Sequence, residues 1–111
     1  MKFEVRFSNH PDDVKHYTTE ELRKHFLIET VFIPNDISLV YSHNDRIIAG
    51  GAMPLGGGLK LESSKELASD YFLQLREMGV INIGGKGHII LDGVKYDMDY
   101  QDGIYIGRGT K

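Results

Sequence analysis

Apolar and polar residues alternate with a period of two near both ends of the chain. Phe3, Val5 and Phe7 alternate with Glu4 and Arg6, the pattern of a strand with one covered face. Val94, Tyr96, Met98 and Tyr100 alternate with Lys95, Asp97 and Asp99 in the same way. Residues 79–109 read as three strands, with Gly85-Lys-Gly87 and Asp92-Gly93 as hairpin turns. The ladder stops at Ile104-Tyr105-Ile106, and the chain ends two residues after Gly109. An antiparallel barrel normally covers such an edge with another strand. The pattern therefore predicts a small β-barrel that is half of something larger.

Between these ends the period changes twice. His10-Pro11-Asp12-Asp13 breaks the first strand. Thr18 and Glu21 then have the spacing of a capping box, in which each side chain satisfies a backbone donor at a helix start. Leu22 and Phe26, four apart, share a side of that helix, which is expected to cover one mouth or edge of the barrel. From Ile28 the pattern is β again. Thr30-Val-Phe-Ile33 predicts a strand, Pro34-Asn-Asp36 a turn, and Ile37 to Tyr41 a second alternating strand. Arg46-Ile-Ile-Ala49 predicts a further strand, interrupted by Gly50-Gly51 and then by Met53-Pro54. Residues 55–59 form a flexible loop, Ser63 to Ala68 one helical turn, and Tyr71 to Arg76 another strand. One short N-terminal helix and about eight short strands place the fold in the mainly β class, as a jelly-roll barrel.

Composition narrows the chemistry. The absence of cysteine excludes a disulfide framework and Cys-ligated zinc, and fits a reducing cytoplasm. A net charge of -3 without basic blocks argues against nucleic acid or an anionic membrane as partner. The N-terminus alternates instead of forming an apolar run, so no signal peptide is read. No segment approaches the roughly 20 apolar residues of a membrane span. His10, His16, His25, His43 and His88 form no H-x-H or H-E-x-x-H arrangement, so no metal ligand is assigned here.

The densest polar cluster is Tyr41-Ser-His-Asn-Asp-Arg46. Tyr41, His43 and Asp45 are candidates for acid–base work. The same residues also suit a turn in which Asn and Asp bond their own backbone. Arg76 is a candidate for holding a substrate carboxylate through the guanidinium fork, although Arg76-Glu77 suits a rim ion pair equally. Gly56-Gly-Gly58 and Gly84-Gly-Lys-Gly87 lack the phosphate-loop spacing and read as turns. Tyr96, Met98 and Tyr100 suit either a sugar pocket or core.

Longer strings carry a resemblance. Tyr41-Ser-His-Asn-Asp-Arg-Ile-Ile-Ala-Gly-Gly-Ala-Met-Pro54, the stretch from Tyr71-Phe-Leu through Arg76-Glu-Met-Gly-Val-Ile-Asn-Ile-Gly-Gly-Lys-Gly87, and Asp102-Gly-Ile-Tyr-Ile-Gly-Arg-Gly-Thr-Lys111 resemble segments of 5-keto-4-deoxyuronate isomerase, also called 4-deoxy-L-threo-5-hexosulose-uronate ketol-isomerase. The stretch from Thr19 to Phe32 fits the same register. The resemblance implies that residues 1–111 are the N-terminal cupin-like barrel of a two-barrel enzyme. It implies zinc held in the C-terminal barrel by three His and a Glu that have no counterpart here. It also implies hexamers and a role in pectin and uronate degradation. The implied reaction converts 5-keto-4-deoxyuronate into 3-deoxy-D-glycero-2,5-hexodiulosonate, and the resemblance makes Arg46 and Arg76 candidates for meeting the substrate carboxylate across an interface. This part would be structural and oligomer-forming, inactive alone, with the C-terminal barrel and the keto-uronate as partners. The alternative is a stand-alone cupin-type sugar-binding or assembly module without catalysis.

Overall fold

A computed structural model describes all of residues 1–111. With 32% of residues in strands and 14% helical, the chain is mainly β, as expected. The elements run β1 (Lys2–Arg6), α1 (Pro11–Val14), α2 (Thr19–Phe26), β2 (Ile37–Ser42), β3 (Ile47–Ala52), a 3₁₀ turn (Lys65–Leu67), β4 (Met78–Ile81), β5 (Gly87–Leu91), β6 (Val94–Met98) and β7 (Gly103–Ile106). They fall into two compact units, Met1–Leu61 and Glu62–Lys111. No helix is long and apolar enough to cross a membrane.

In Met1–Leu61 the strands form one sheet of order β1-β2-β3. β1 pairs parallel with β2, and β2 antiparallel with β3. A parallel pair needs a crossover, and the segment carrying α1 and α2 provides it. The expected single helix is thus two. Pro11 sits in the first turn of α1, and His10 Nδ1 accepts from Asp12 N at 3.0 Å as the cap. His10-Pro11 was expected only to break the strand. Proline also suits a helix start, where its missing N–H is not needed. The capping box of α2 is present: Thr18 Oγ1 accepts from Glu21 N at 3.2 Å, and Glu21 Oε1 accepts from Thr18 N at 3.2 Å. Such a cap is worth about 1 kcal/mol.

Two strand expectations in this unit are corrected. Thr30 to Ile33 is not a strand; instead Val31 and Phe32 lie against Gly51. Gly50-Gly51 does not interrupt β3, which runs through both. A Cβ on Gly50 would lie 1.9 Å from Ser38 O, and one on Gly51 2.7 Å from the Phe32 ring. These glycines let neighbouring backbone and an aromatic ring approach the strand closely.

In Glu62–Lys111 the strands form two antiparallel ladders, β4-β7 and β5-β6. The stretch from residue 79 therefore contains four strands rather than three. Asp92 and Gly93, with φ of 48° and 78°, close the β5-β6 hairpin as expected. Gly85-Lys86-Gly87 does not close a hairpin, because β4 pairs with β7 and not with β5. The Asn82 side chain organises that turn, donating to Gly85 O at 2.8 Å and accepting from Gly84 N at 3.0 Å. Tyr71 to Arg76 is a series of turns, not a strand. Its adjacent residues Phe72 and Leu73 are both buried with Leu67, Met98 and Ile106. A strand would send Phe72 and Leu73 to opposite faces. One sheet and two ladders replace the expected eight-stranded jelly roll, and no closed barrel forms among them.

Candidate functional site

The alternation in β1 sends Lys2, Glu4 and Arg6 to one face of the three-stranded sheet and Phe3, Val5 and Phe7 to the other. The register extends the first face through Ser38, Val40 and Ser42 of β2 to Ile47 and Ala49 of β3. α2 and residues 27–30 lie over this polar face, leaving two cavities of about 410 and 230 Å³. Leu22 and Phe26 of α2 remain exposed. The helix thus flanks a sheet face rather than closing a barrel mouth.

Arg6 lines both cavities. Its side chain is only 14% exposed. Nε donates to Glu4 Oε1 at 3.0 Å and Nη1 to Leu27 O at 2.6 Å. These bonds fix the guanidinium plane and use two of its five N–H groups. In the larger cavity Arg23 pairs with Glu29, while Lys2 and Lys24 have no carboxylate within ion-pair distance. The smaller cavity joins His25, Asp45, Ser42 and Arg6 to walls of Phe26, Ile28, Val40, Ile47 and Ala49. The His25 ring stacks on Tyr17 at 5.0 Å between centroids. A titratable imidazole, a carboxylate and a fixed cation around an apolar pocket are the components of acid–base chemistry on an anionic ligand.

The structure divides the candidate trio. Tyr41 and His43 meet with ring centroids 4.4 Å apart, and Phe7 stacks on His43 at 5.4 Å. By register Tyr41 lies on the Phe3-Val5-Phe7 face, whereas Asp45 lines the smaller cavity of the opposite face. Residues 43–46 also form the turn that joins β2 to β3. Arg46 occupies that turn at φ 56° and is exposed. Arg76 lies in the second unit, its guanidinium carbon 5.9 Å from the Phe72 ring centroid and its Nε buried without a partner. Met98 is core, but Tyr96 and Tyr100 are exposed.

Arg6 was not singled out in the sequence, and His25 was weighed there only as a metal ligand. Arg6 stands inside an alternating strand, where a charged residue reads as solvent-facing. Its signal was the run Lys2, Glu4, Arg6 on one face. His25 gives no comparable signal, because its partners come from β1, β2 and the turn after β2. No three His, Asp or Glu side chains converge as metal ligands. The residues of this chain therefore do not fit a zinc site.

Three groups outside the cavities titrate abnormally. The N-terminal ammonium, 3.1 Å away, and the Ile37 amide hold the Asp36 carboxyl below its ordinary value. Its own backbone amide does the same for the Glu66 carboxyl. Tyr105 donates to Glu77 Oε2, which pushes its phenol up.

No family model matches the chain. It is 57% identical over 108 residues to 4-deoxy-L-threo-5-hexosulose-uronate ketol-isomerase of Lachnoclostridium phytofermentans. It is 54% identical to ketol-isomerase 2 of the same name from Enterococcus faecalis, and 48% to that of Caldicellulosiruptor bescii. Each match covers 97% of this chain but 39% of the relative. The chain thus spans about two-fifths of the length of the curated relatives it matches. By sequence it is similar to the N-terminal portion of the 4-deoxy-L-threo-5-hexosulose-uronate ketol-isomerases.

Proposed function

We propose that this chain serves as the N-terminal part of a 4-deoxy-L-threo-5-hexosulose-uronate ketol-isomerase, a cytoplasmic enzyme of pectin and uronate breakdown. The observation that carries the reading is 57% identity sustained over 97% of the chain. Ketol isomerisation moves a proton between adjacent carbons, so it requires a base and a group to hold the enediolate charge. In this reading zinc is held by residues outside this chain, in a second cupin-type barrel. The chain's own part is to build the scaffold and contribute to oligomer contacts, with its strands completing a cupin-type barrel in the assembled enzyme. The exposed large apolar residues Phe7, Leu55, Leu75, Ile81, Ile83, Ile90 and Tyr105 support an assembly role.

A chimera tests the proposal. This chain replaces the matching segment of the Lachnoclostridium phytofermentans relative, and isomerisation of the keto-uronate is assayed. Turnover within about tenfold of the parent, a loss of no more than 1.4 kcal/mol in transition-state stabilisation, is expected. A folded, zinc-loaded chimera without turnover would overturn the reading.

A further inference from the structure

We propose that the free edge of β3 pairs antiparallel with β3 of a second copy of this chain, joining two three-stranded sheets into one continuous sheet. β1 and β3 are the two edges of the sheet in Met1–Leu61. An edge strand presents unpaired N–H and C=O groups, and proteins blunt such edges with charges or proline. β1 is blunted, because Lys2, Glu4 and Arg6 stand along it. Pairing its whole length with a second β1 would set Glu4 against Glu4 and Lys2 against Arg6, and like charges directly opposite are destabilising. β3, Ile47-Ile-Ala-Gly-Gly-Ala52, carries neither charge nor proline. Its backbone pairs with β2 on one side, and no other backbone hydrogen bond reaches residues 47–52. Ile47, Ala49, Gly50 and Ala52 are exposed.

The composition of β3 suits its own copy as the added strand. A two-fold axis normal to the sheet keeps each face continuous, so it passes between one residue and the same residue of the second copy. Centred on Ala49, it sets Ile47 opposite Gly51 of the second copy and Ile48 opposite Gly50. Each large side chain then meets a residue without one. Arg46 falls opposite Ala52, so no like charges meet. The pairing also brings apolar cover. A Cβ on Gly51 would lie 2.7 Å from the Phe32 ring, so that ring stands over Gly51. Ile47 of the second copy would arrive beside it. In the single chain Ile47 is 57% exposed and Phe32 45%; paired, both leave water together. The inference stands on the strand edge and not on the isomerase reading. Chimera turnover tests that reading, whereas association of this chain tests the edge.

The test is light scattering on size-exclusion fractions of the 111-residue chain, joined to cysteine cross-linking. The chain is expected to elute with the mass of two copies and to dissociate on dilution. Ala49→Lys sets two ammonium groups opposite each other at an exposed position and should weaken association at least about tenfold. The chain has no cysteine, so a single introduced thiol reports its own neighbour. Ala49→Cys should give a disulfide-linked dimer under mild oxidation, because directly opposed Cβ atoms lie about 4.5–5.5 Å apart. Ala52→Cys should not, since its two thiols would stand roughly 20 Å apart along the paired strands. The cysteine pair decides the matter if Ala49→Lys fails to fold. The proposal is overturned by a chain that stays monomeric at every concentration, by unchanged association in folded Ala49→Lys, or by Ala52→Cys linking as readily as Ala49→Cys.

Discussion

The two compact units spend their residues differently. Met1–Leu61 has a three-stranded sheet but a thin buried set, namely Ile37, Val40 and the hydroxyl-bearing Ser38. Its polar face is covered only in part by α2 and residues 27–30 and holds both cavities. Glu62–Lys111 has only paired two-stranded ladders, yet it buries Leu67, Phe72, Leu73, Met98 and Ile106. The first unit is held by register and close backbone approach, the second by side-chain packing around turns. A sheet bound mainly by its ladder can leave one face free for a ligand. A pair of short ladders cannot, because two strands alone are marginal in water and need apolar cover.

The contrast breaks most sharply at Gly50. Gly50→Ala places a methyl group on the Ser38 carbonyl and should destabilise the first unit by roughly 3 kcal/mol, since overpacking against backbone has no side chain to move aside. Hydrogen exchange should quicken in β2 and β3 while β4–β7 are unaffected. Loss of protection spread equally across both units would show that the sheet does not depend on this approach.

The reciprocal change is Met98→Ala. Removing a side chain that is 5% exposed should cost roughly 2 kcal/mol, at the lower end for core truncation because the thioether site can partly collapse. Denaturant unfolding followed by exchange should report this in β4–β7 and not in β1–β3. Equal loss in both regions would remove the distinction between ladder-held and packing-held units.

The smallest effect is a pH dependence confined to the second unit. Glu77 raises the Tyr105 phenol above its ordinary value of 10.0. The hydrogen bond therefore contributes fully below pH 10 and is lost as pH rises through the raised value. Because the pair is exposed, the contribution is small. Tyr105→Phe should make the alkaline decline of stability shallower above pH 10 and leave neutral stability nearly unchanged. An identical alkaline slope in the variant would dissociate the bond from the titration.

Where neighbouring residues suffice to define an element, the chain reads correctly. Thr18 and Glu21 cap α2 because both partners lie within one turn, and Asp92-Gly93 closes its hairpin because both residues accept positive φ. Alternation likewise identifies β1, β2 and β6. Reading failed where a residue answers to a distant neighbour. Gly50-Gly51 looks like a break until Ser38 and Phe32 are beside it, and Phe72-Leu73 looks like strand until both side chains enter one core. The ketol-isomerase resemblance was legible because long strings survive without reference to shape.

The cavities belong to the second class. No local pattern pairs β1 with β2 in parallel, and that pairing aligns Arg6 with Ser42. The folded arrangement then adds His25 and Asp45 to the same wall, while Tyr41 and His43 lie with Phe7 on the other side of the sheet. Capping, turn chemistry and period depend on bonds spanning a few residues. Strand partners and cavity walls depend on contacts whose cost and gain are summed over the whole fold. Local order was therefore written along the chain, whereas the site around Arg6 came into being only when β1, α2 and β2 were brought together.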